Sequence, residues 1–291
     1  MRHMDEIRRV LEKYDEAYVS EVLNSVGDLN KYAGQFYRDT AEVFDAITRI
    51  SNTQRNPKGF TIDDAPILGL LVRAWKLLKE VVRYYDDSNA EFMGLLERPL
   101  IEAAVTATYL MQGSPELLVD YRKCSYKDRL RIVRGQEDGS PFFDTKAGKR
   151  LLASVHQKLA AEGFTKHDFS VQKKSRWRLQ GKSFYDIFSI VEHQDLYACT
   201  YGMMSESIHG SWNESLDFCL TRVDESHFKP YPFFQPADIR FVTPLLRFCT
   251  RPYRLWLRRI DAEEQNVMQA LDWIDRFNLM LFQKFDATFD E

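Results

Sequence analysis

Apolar residues recur along this chain at steps of three and four, the spacing that gathers them on one face of an α-helix. Ile7, Leu11, Tyr14, Tyr18 and Val22 form a first series, with Glu, Lys and Arg filling the gaps. Tyr37, Val43, Phe44, Ile47 and Ile50 form a second. Thr61 followed by Asp63 and Asp64 predicts the start of a long third helix, acids at its positive end, running to about residue 85. A fourth starts near Ser88 or Asn89 and ends at Gln112, where Gly113, Ser114 and Pro115 stop it. Further helices are expected at about 116–134, 146–162, 183–195 and 197–220. A last one, from about 252 to 285, carries Val267, Leu271, Ile274, Asn278, Leu281 and Phe285 on one stripe.

Strand signals are nearly absent, and the one Asp-Gly pair, Asp138-Gly139, sits in a polar loop without β-rich flanks. Residues 228–244 hold four prolines and five aromatics, too sticky for a free linker, and are expected to cross the bundle as an ordered strap. No internal repeat or break in composition divides the chain. The expectation is an all-α protein, a multi-helix bundle in a single compact domain with long ordered loops. Residues 1–58 would form an N-terminal helical hairpin and residues 59–291 the main bundle.

Composition narrows the class. Of 291 residues, 44% are hydrophobic, 29% charged and 13% aromatic, which excludes a disordered chain. A net charge of −3 excludes nucleic-acid binding by bulk charge but not by local basic patches. Cys124, Cys199, Cys219 and Cys249 form no Cys-x-x-Cys pair and are expected to be buried thiols. The start of the chain reads as a charged amphipathic helix rather than an apolar signal core. The apolar run Ala65 to Val72 is cut by Arg73, well short of the roughly 20 residues of a membrane span, so a cytoplasmic protein is expected.

Two helices carry candidate chemistry. From Pro99 onward the fourth helix is apolar all round, which marks it as central and buried, and Pro99 should kink or restart it. Arg98, Glu102 and Tyr109 nevertheless share one stripe. A second helix places Tyr201, Ser205, His209 and Trp212 on one face, with an imidazole suited to proton transfer near neutral pH. Packed together, the two would converge Arg98, Glu102, Tyr109, Ser205 and His209, with Glu102 orienting His209. The other reading of the same residues is a purely structural, buried polar lock of Arg, Glu and His.

The Arg-x-x-x-Glu helix, followed about a hundred residues later by Tyr-x-x-x-Ser-Glu-x-x-His-Gly-Ser, resembles a bacterial all-helical family of unknown function, over roughly residues 60–220. That family is similar to the HEPN proteins, which include toxin and antiviral ribonucleases. The resemblance implies a protein that binds or cleaves RNA, or binds a nucleotide, in prokaryotic defence or a toxin system. It implies metal-independent chemistry with His209 as acid–base group and Arg98 on phosphate, often across a homodimer. The chain departs from the HEPN Arg-x(4–6)-His pattern, because Gly202, Met203 and Met204 stand where its arginine would be.

Other patterns are weaker. Glu206 and His209 form one Glu-x-x-His without a convincing second copy, so no metal or other cofactor is expected. Lys173, Lys174, Arg176 and Arg178 surround Trp177, a pattern suited to RNA phosphates and a stacked base. Residues 122–134 hold six cations against Asp128 alone. Arg247, Arg251, Arg254 and Arg258 form a stripe, expected to pair with the tail, where residues 260–291 carry eight acids against two bases. If the protein is a non-catalytic scaffold, its terminal amphipathic helices would dock a partner or a second copy.

Overall fold

The computed structural model describes Ile7, residues 9–169 and residues 177–289. The protein is all-α: long helices dominate, and the one sheet among the described residues is a small antiparallel ribbon. It pairs β1 (Leu220–Arg222) with β2 (Phe228–Pro230), Leu220 opposite Pro230 and Arg222 opposite Phe228. Two compact units form: Met1–Gln112 together with Ile187–Glu291, and Gly113–Asp186.

The larger unit is built around a central helix, Ala90–Gln112. It packs against the helices Ala65–Asp86 and Ile239–Arg259, and the helices Val26–Thr48 and Gln265–Phe289 complete the core. Each long helix buries its apolar stripe. Phe36, Tyr37, Phe44, Tyr253, Trp256, Phe277 and Phe285 lie fully inside. Phe44 stacks on Tyr253 with ring centres 4.4 Å apart, and the Tyr253 hydroxyl donates to the Leu71 carbonyl at 2.8 Å, so an apolar ring keeps its polar end satisfied. The stripe Val267, Leu271, Ile274, Asn278, Leu281 and Phe285 is buried as well, which leaves that face of the C-terminal helix unavailable for docking.

Local chemistry sets the boundaries. Asn89 starts the central helix, its side chain accepting from Phe92 N at 3.2 Å, and Asp238 starts the helix Ile239–Arg259 by accepting from Arg240 N at 2.9 Å. The central helix runs unbroken through Pro99 instead of restarting there. The proline removes one backbone bond, and burial on both sides of it holds the helix. The same holds at Pro244 and Pro252, both inside the helix Ile239–Arg259. The single helix expected over 252–285 is therefore two, separated where Asp261 takes a φ of +52°, and the strap ends at Asp238. Cys124 and Cys249 are buried, but Cys199 and Cys219 are exposed. Among the described residues no helix is long and apolar enough to cross a membrane.

The smaller unit holds the helices Pro115–Glu137 and Lys146–Ala161. They close over Leu130, Val133, Val155, Leu159 and Phe169. Arg122 donates to Glu162 at 2.8 Å across them.

Asp64 precedes the helix Ala65–Asp86 but makes no capping hydrogen bond with its side chain. Its buried carboxylate accepts from Arg259 Nε at 2.8 Å and from Arg55 Nη2 at 3.4 Å, tying the start of this helix to the end of another. Asp64→Ala is expected to cost about 2–3 kcal/mol, below the loss for a fully buried pair because both arginines reach solvent. Asp63→Ala, at an exposed neighbour, should stay within about 0.5 kcal/mol. Denaturant unfolding checks both, and equal losses would assign the effect to the helix dipole instead of the ion pair.

Candidate functional site

The central helix presents Arg98 and Glu102 one turn apart to a segment that the sequence reads as one helix over 197–220. That segment is broken: a π-helical turn Ala198–Gly202, a short helix Met204–His209, a stop at Gly210, and a second π turn Ser215–Cys219. The first π turn holds Tyr201, which is buried. Arg98 Nε donates to the Tyr201 hydroxyl at 2.8 Å and approaches Glu102 Oε1 at 3.4 Å. Arg98 Nη1 donates to Ser205 Oγ at 3.1 Å, and the Tyr201 hydroxyl donates to Glu102 Oε1 in a short bond. The guanidinium carbon also lies 4.6 Å from the centre of the Tyr201 ring. Burial, reinforced by the Glu102 carboxylate, pushes the Tyr201 phenol well above its ordinary range, so it keeps its proton and donates. Burial opposes the charge on Arg98, and Tyr201 and Glu102 outweigh it, raising its pKa.

Four residues are thus brought together: Arg98, Glu102, Ser205 and Tyr201. Tyr201 was visible on the polar face of its helix but was not among the candidate site residues. The network is not sealed, since the Glu102 side chain is 43% exposed. Tyr109 is buried farther along the central helix and is not part of it. His209 is exposed at the last position of its helix, and Glu102 does not reach it.

The motif around His209 has a local structural meaning. Gly210 takes a φ of +59°, the left-handed stop that favours glycine, and its N–H donates to the Glu206 carbonyl. Ser211 restarts the chain as a cap, accepting from Glu214 N at 3.1 Å and donating to Glu206 Oε2 at 3.3 Å. The close approach of this helix to the central one requires Gly94, where a Cβ would stand 2.6 Å from Ser207 Oγ.

Of the basic residues, Lys173, Lys174 and Arg176 lie outside the described residues. Trp177 is exposed, and Arg178 is spent on its own turn, donating to the Gly181 carbonyl at 3.1 Å. In the stretch 122–134, Arg122 pairs with Glu162 and Arg129 lies over the Tyr126 ring. Arg254 pairs with Asp272 and Asp275 and Arg258 with Glu263, all in the acidic tail, whereas Arg251 pairs with Glu192. Among the described residues no three His, Cys, Asp or Glu side chains converge as metal ligands.

One acid escaped the sequence reading. Glu97 is buried on the central helix, and its Oε1 has no hydrogen-bond partner. Beside Arg98 it reads as half of a charged surface pair; its place three residues after Gly94, on the face the incoming helix covers, is the signal that could have found it. Burial, with help from the charge of Glu214, pushes its pKa up to about 8. Burial raises Glu214 too, although Ser207 Oγ donates to it at 3.0 Å. Between 4.5, where the unfolded chain loses this proton, and about 8, the folded chain binds more protons, so this group's contribution to stability falls as pH rises through that window. Glu97→Gln removes the effect. Its melting temperature relative to wild type is expected to climb from about pH 5 to about pH 9, and a constant difference would place Glu97 among ordinary solvated carboxylates.

No curated protein and no solved structure matches the chain. A protein family does, over residues 64–227, a span that includes Arg98, Glu102, Tyr201, Ser205 and His209. The chain belongs to this family, a family of unknown function (DUF5677).

Proposed function

We propose that this chain is a non-catalytic helical interaction protein in which Arg98, Glu102, Tyr201 and Ser205 act as a polar lock. One observation carries the reading: the guanidinium and carboxylate that RNA cleavage would offer to phosphate and imidazole are engaged with each other and with Tyr201 and Ser205. A catalytic imidazole is commonly held by a third group such as a carboxylate, and His209 has no such partner among the described residues. The segments around and after the lock expose Met203, Ile208, Trp212, Phe233 and Phe234, apolar side chains that a protein partner could cover.

A second reading, an RNA-directed HEPN-like protein of prokaryotic defence, is favoured by one arrangement. His209 and Trp212 are both exposed, an imidazole and a stacking surface three residues apart. Metal-free incubation of the purified protein with total RNA, beside His209→Ala matched by circular dichroism, separates the two. The expected result is no cleavage by either protein; cleavage by the wild type alone would overturn the lock reading and make His209 catalytic. Tyr201→Phe, which removes the shared hydroxyl, is expected to lower unfolding stability by about 1–2 kcal/mol. An unchanged stability would show that the hydroxyl does not hold the two helices together.

A further inference from the structure

The short helix Met204–His209 lies against the central helix along a seam of acids. The two approach closely at Gly94, where an added Cβ would stand 2.6 Å from Ser207 Oγ. Ser207 Oγ donates to Glu214 Oε2 at 3.0 Å, which draws Glu214, from beyond the stop at Gly210, to the same seam. On the central helix Glu91 and Glu97 stand about one turn to either side of Gly94, and the charge of Glu214 acts on both. Glu206 and Asp217 add their repulsion to Glu214.

Among the described residues no base answers these acids. Arg98, next to Glu97 in sequence, is turned to Glu102, Tyr201 and Ser205. His209, the one base of the stretch Met204–Cys219, is exposed and bears on neither Glu97 nor Glu214. The helices Ala65–Asp86 and Ile239–Arg259, which pack on the central helix elsewhere, bring no charge to Glu97. From the strap comes only the Gln235 backbone N–H, and it donates to Glu91.

The stretch that covers this seam is lightly held. None of the residues of Met204–His209, Trp212–Glu214 or Ser215–Cys219 is buried, and elements with so little buried surface open at low cost. Glu97 itself is only 6% exposed, and its Oε1 has no hydrogen-bond partner. With the stretch docked, a charge on Glu97 is shut away from water beside a second acid, a costly arrangement that a proton relieves. With the stretch lifted, the same carboxyl reaches solvent and needs no proton.

We infer that the stretch Met204–Cys219 is an acid-tightened latch on the central helix: docking takes up a proton at Glu97, and release gives it back. The proton is bound up to about pH 8 in the docked state, but only up to about 4.5 once Glu97 is solvated. Between those limits one proton separates the two states, so each rise of one pH unit shifts the balance about tenfold toward release. Outside them Glu97 has the same charge in both states, and the latch does not respond. Release reaches the polar lock as well. Ser205 belongs to the docked helix, so lifting that helix withdraws its hydroxyl from Arg98 Nη1. The latch turns on Glu97 rather than on Tyr201, and it stands whether or not the lock reading holds.

Hydrogen exchange of the full chain between pH 5 and pH 8, corrected for intrinsic rates, tests this at the amides of Met204–Cys219. Their protection is expected to fall by about a hundredfold across that range, while the helix Val26–Thr48 stays better protected throughout. Glu97→Gln keeps the shape of the side chain and cannot ionise, so its protection should hold constant with pH. Tyr201→Phe should lower protection of the same amides at every pH and leave the slope as it is. An unchanged level in Tyr201→Phe would count against the lock reading, while the retained slope would still support the latch. Three results would each overturn the latch: protection of the wild type that does not vary with pH, a slope that survives in Glu97→Gln, or a stretch as well protected as Val26–Thr48 at every pH. The last would mean that it opens only with the whole chain.

Discussion

Between Leu100 and Leu110 the central helix meets solvent only at Glu102, and every polar group near that stretch answers to the cost of leaving water without a partner. The chain meets the cost in three ways. Thr108 turns its hydroxyl back onto the Ala104 carbonyl at 2.9 Å, inside its own helix. Arg98 and Glu102, at the margin, recruit Tyr201 and Ser205 from a different helix. Glu97, whose Oε1 has no partner, has its pKa pushed up to about 8 by burial instead. The positions of the surrounding elements follow from these solutions: the Tyr201 segment must run beside Arg98, and Gly94 must lack a side chain for the next helix to approach.

Much of this was legible in the chain itself. A strongly periodic stripe such as Val267 to Phe285 states both the helix and its buried face, because burial repeats at the helical period. The turn Gly113-Ser114-Pro115 states an end equally well. The misread places share a cause: local rules overridden by tertiary packing. Pro244 and Pro252 each remove one helical bond, yet Val242, Leu246, Cys249, Tyr253 and Trp256 bury so much of that helix that it continues through both. Asp64 has the composition of a cap and is spent on Arg259, a partner nearly two hundred residues away.

The candidate site was legible in part, for the same reason. The pairing of Arg98 with Glu102 and the nearness of Ser205 followed from spacing and from two helices packing. Which residue would complete the network did not. On a regular helix Ser205 and His209 share a face with Tyr201, but the π turn and the stop at Gly210 leave His209 at an exposed terminus. The arginine stripe shows the complementary limit: sequence indicated acids enough to neutralise it, while the fold brings only some of them within reach.

The π turn Ala198–Gly202 has a further consequence, for the length of the chain rather than its composition. Its backbone closes five residues apart, as in the bond from Met203 N to the Ala198 carbonyl at 3.3 Å, so it accommodates one residue more than an α-helical turn. Each residue of an α-helix advances the chain by about 100°. Because the extra residue is absorbed inside the turn, deleting one residue here would regularise the helix and leave the segments before and after it in about their present orientation. Gln194 to Tyr197 and the segment from Met203 onward could then both keep their present neighbours. Among related chains, a one-residue gap at this turn is therefore compatible with an intact network as long as Tyr201 is retained, and so is exchange of the exposed Cys199.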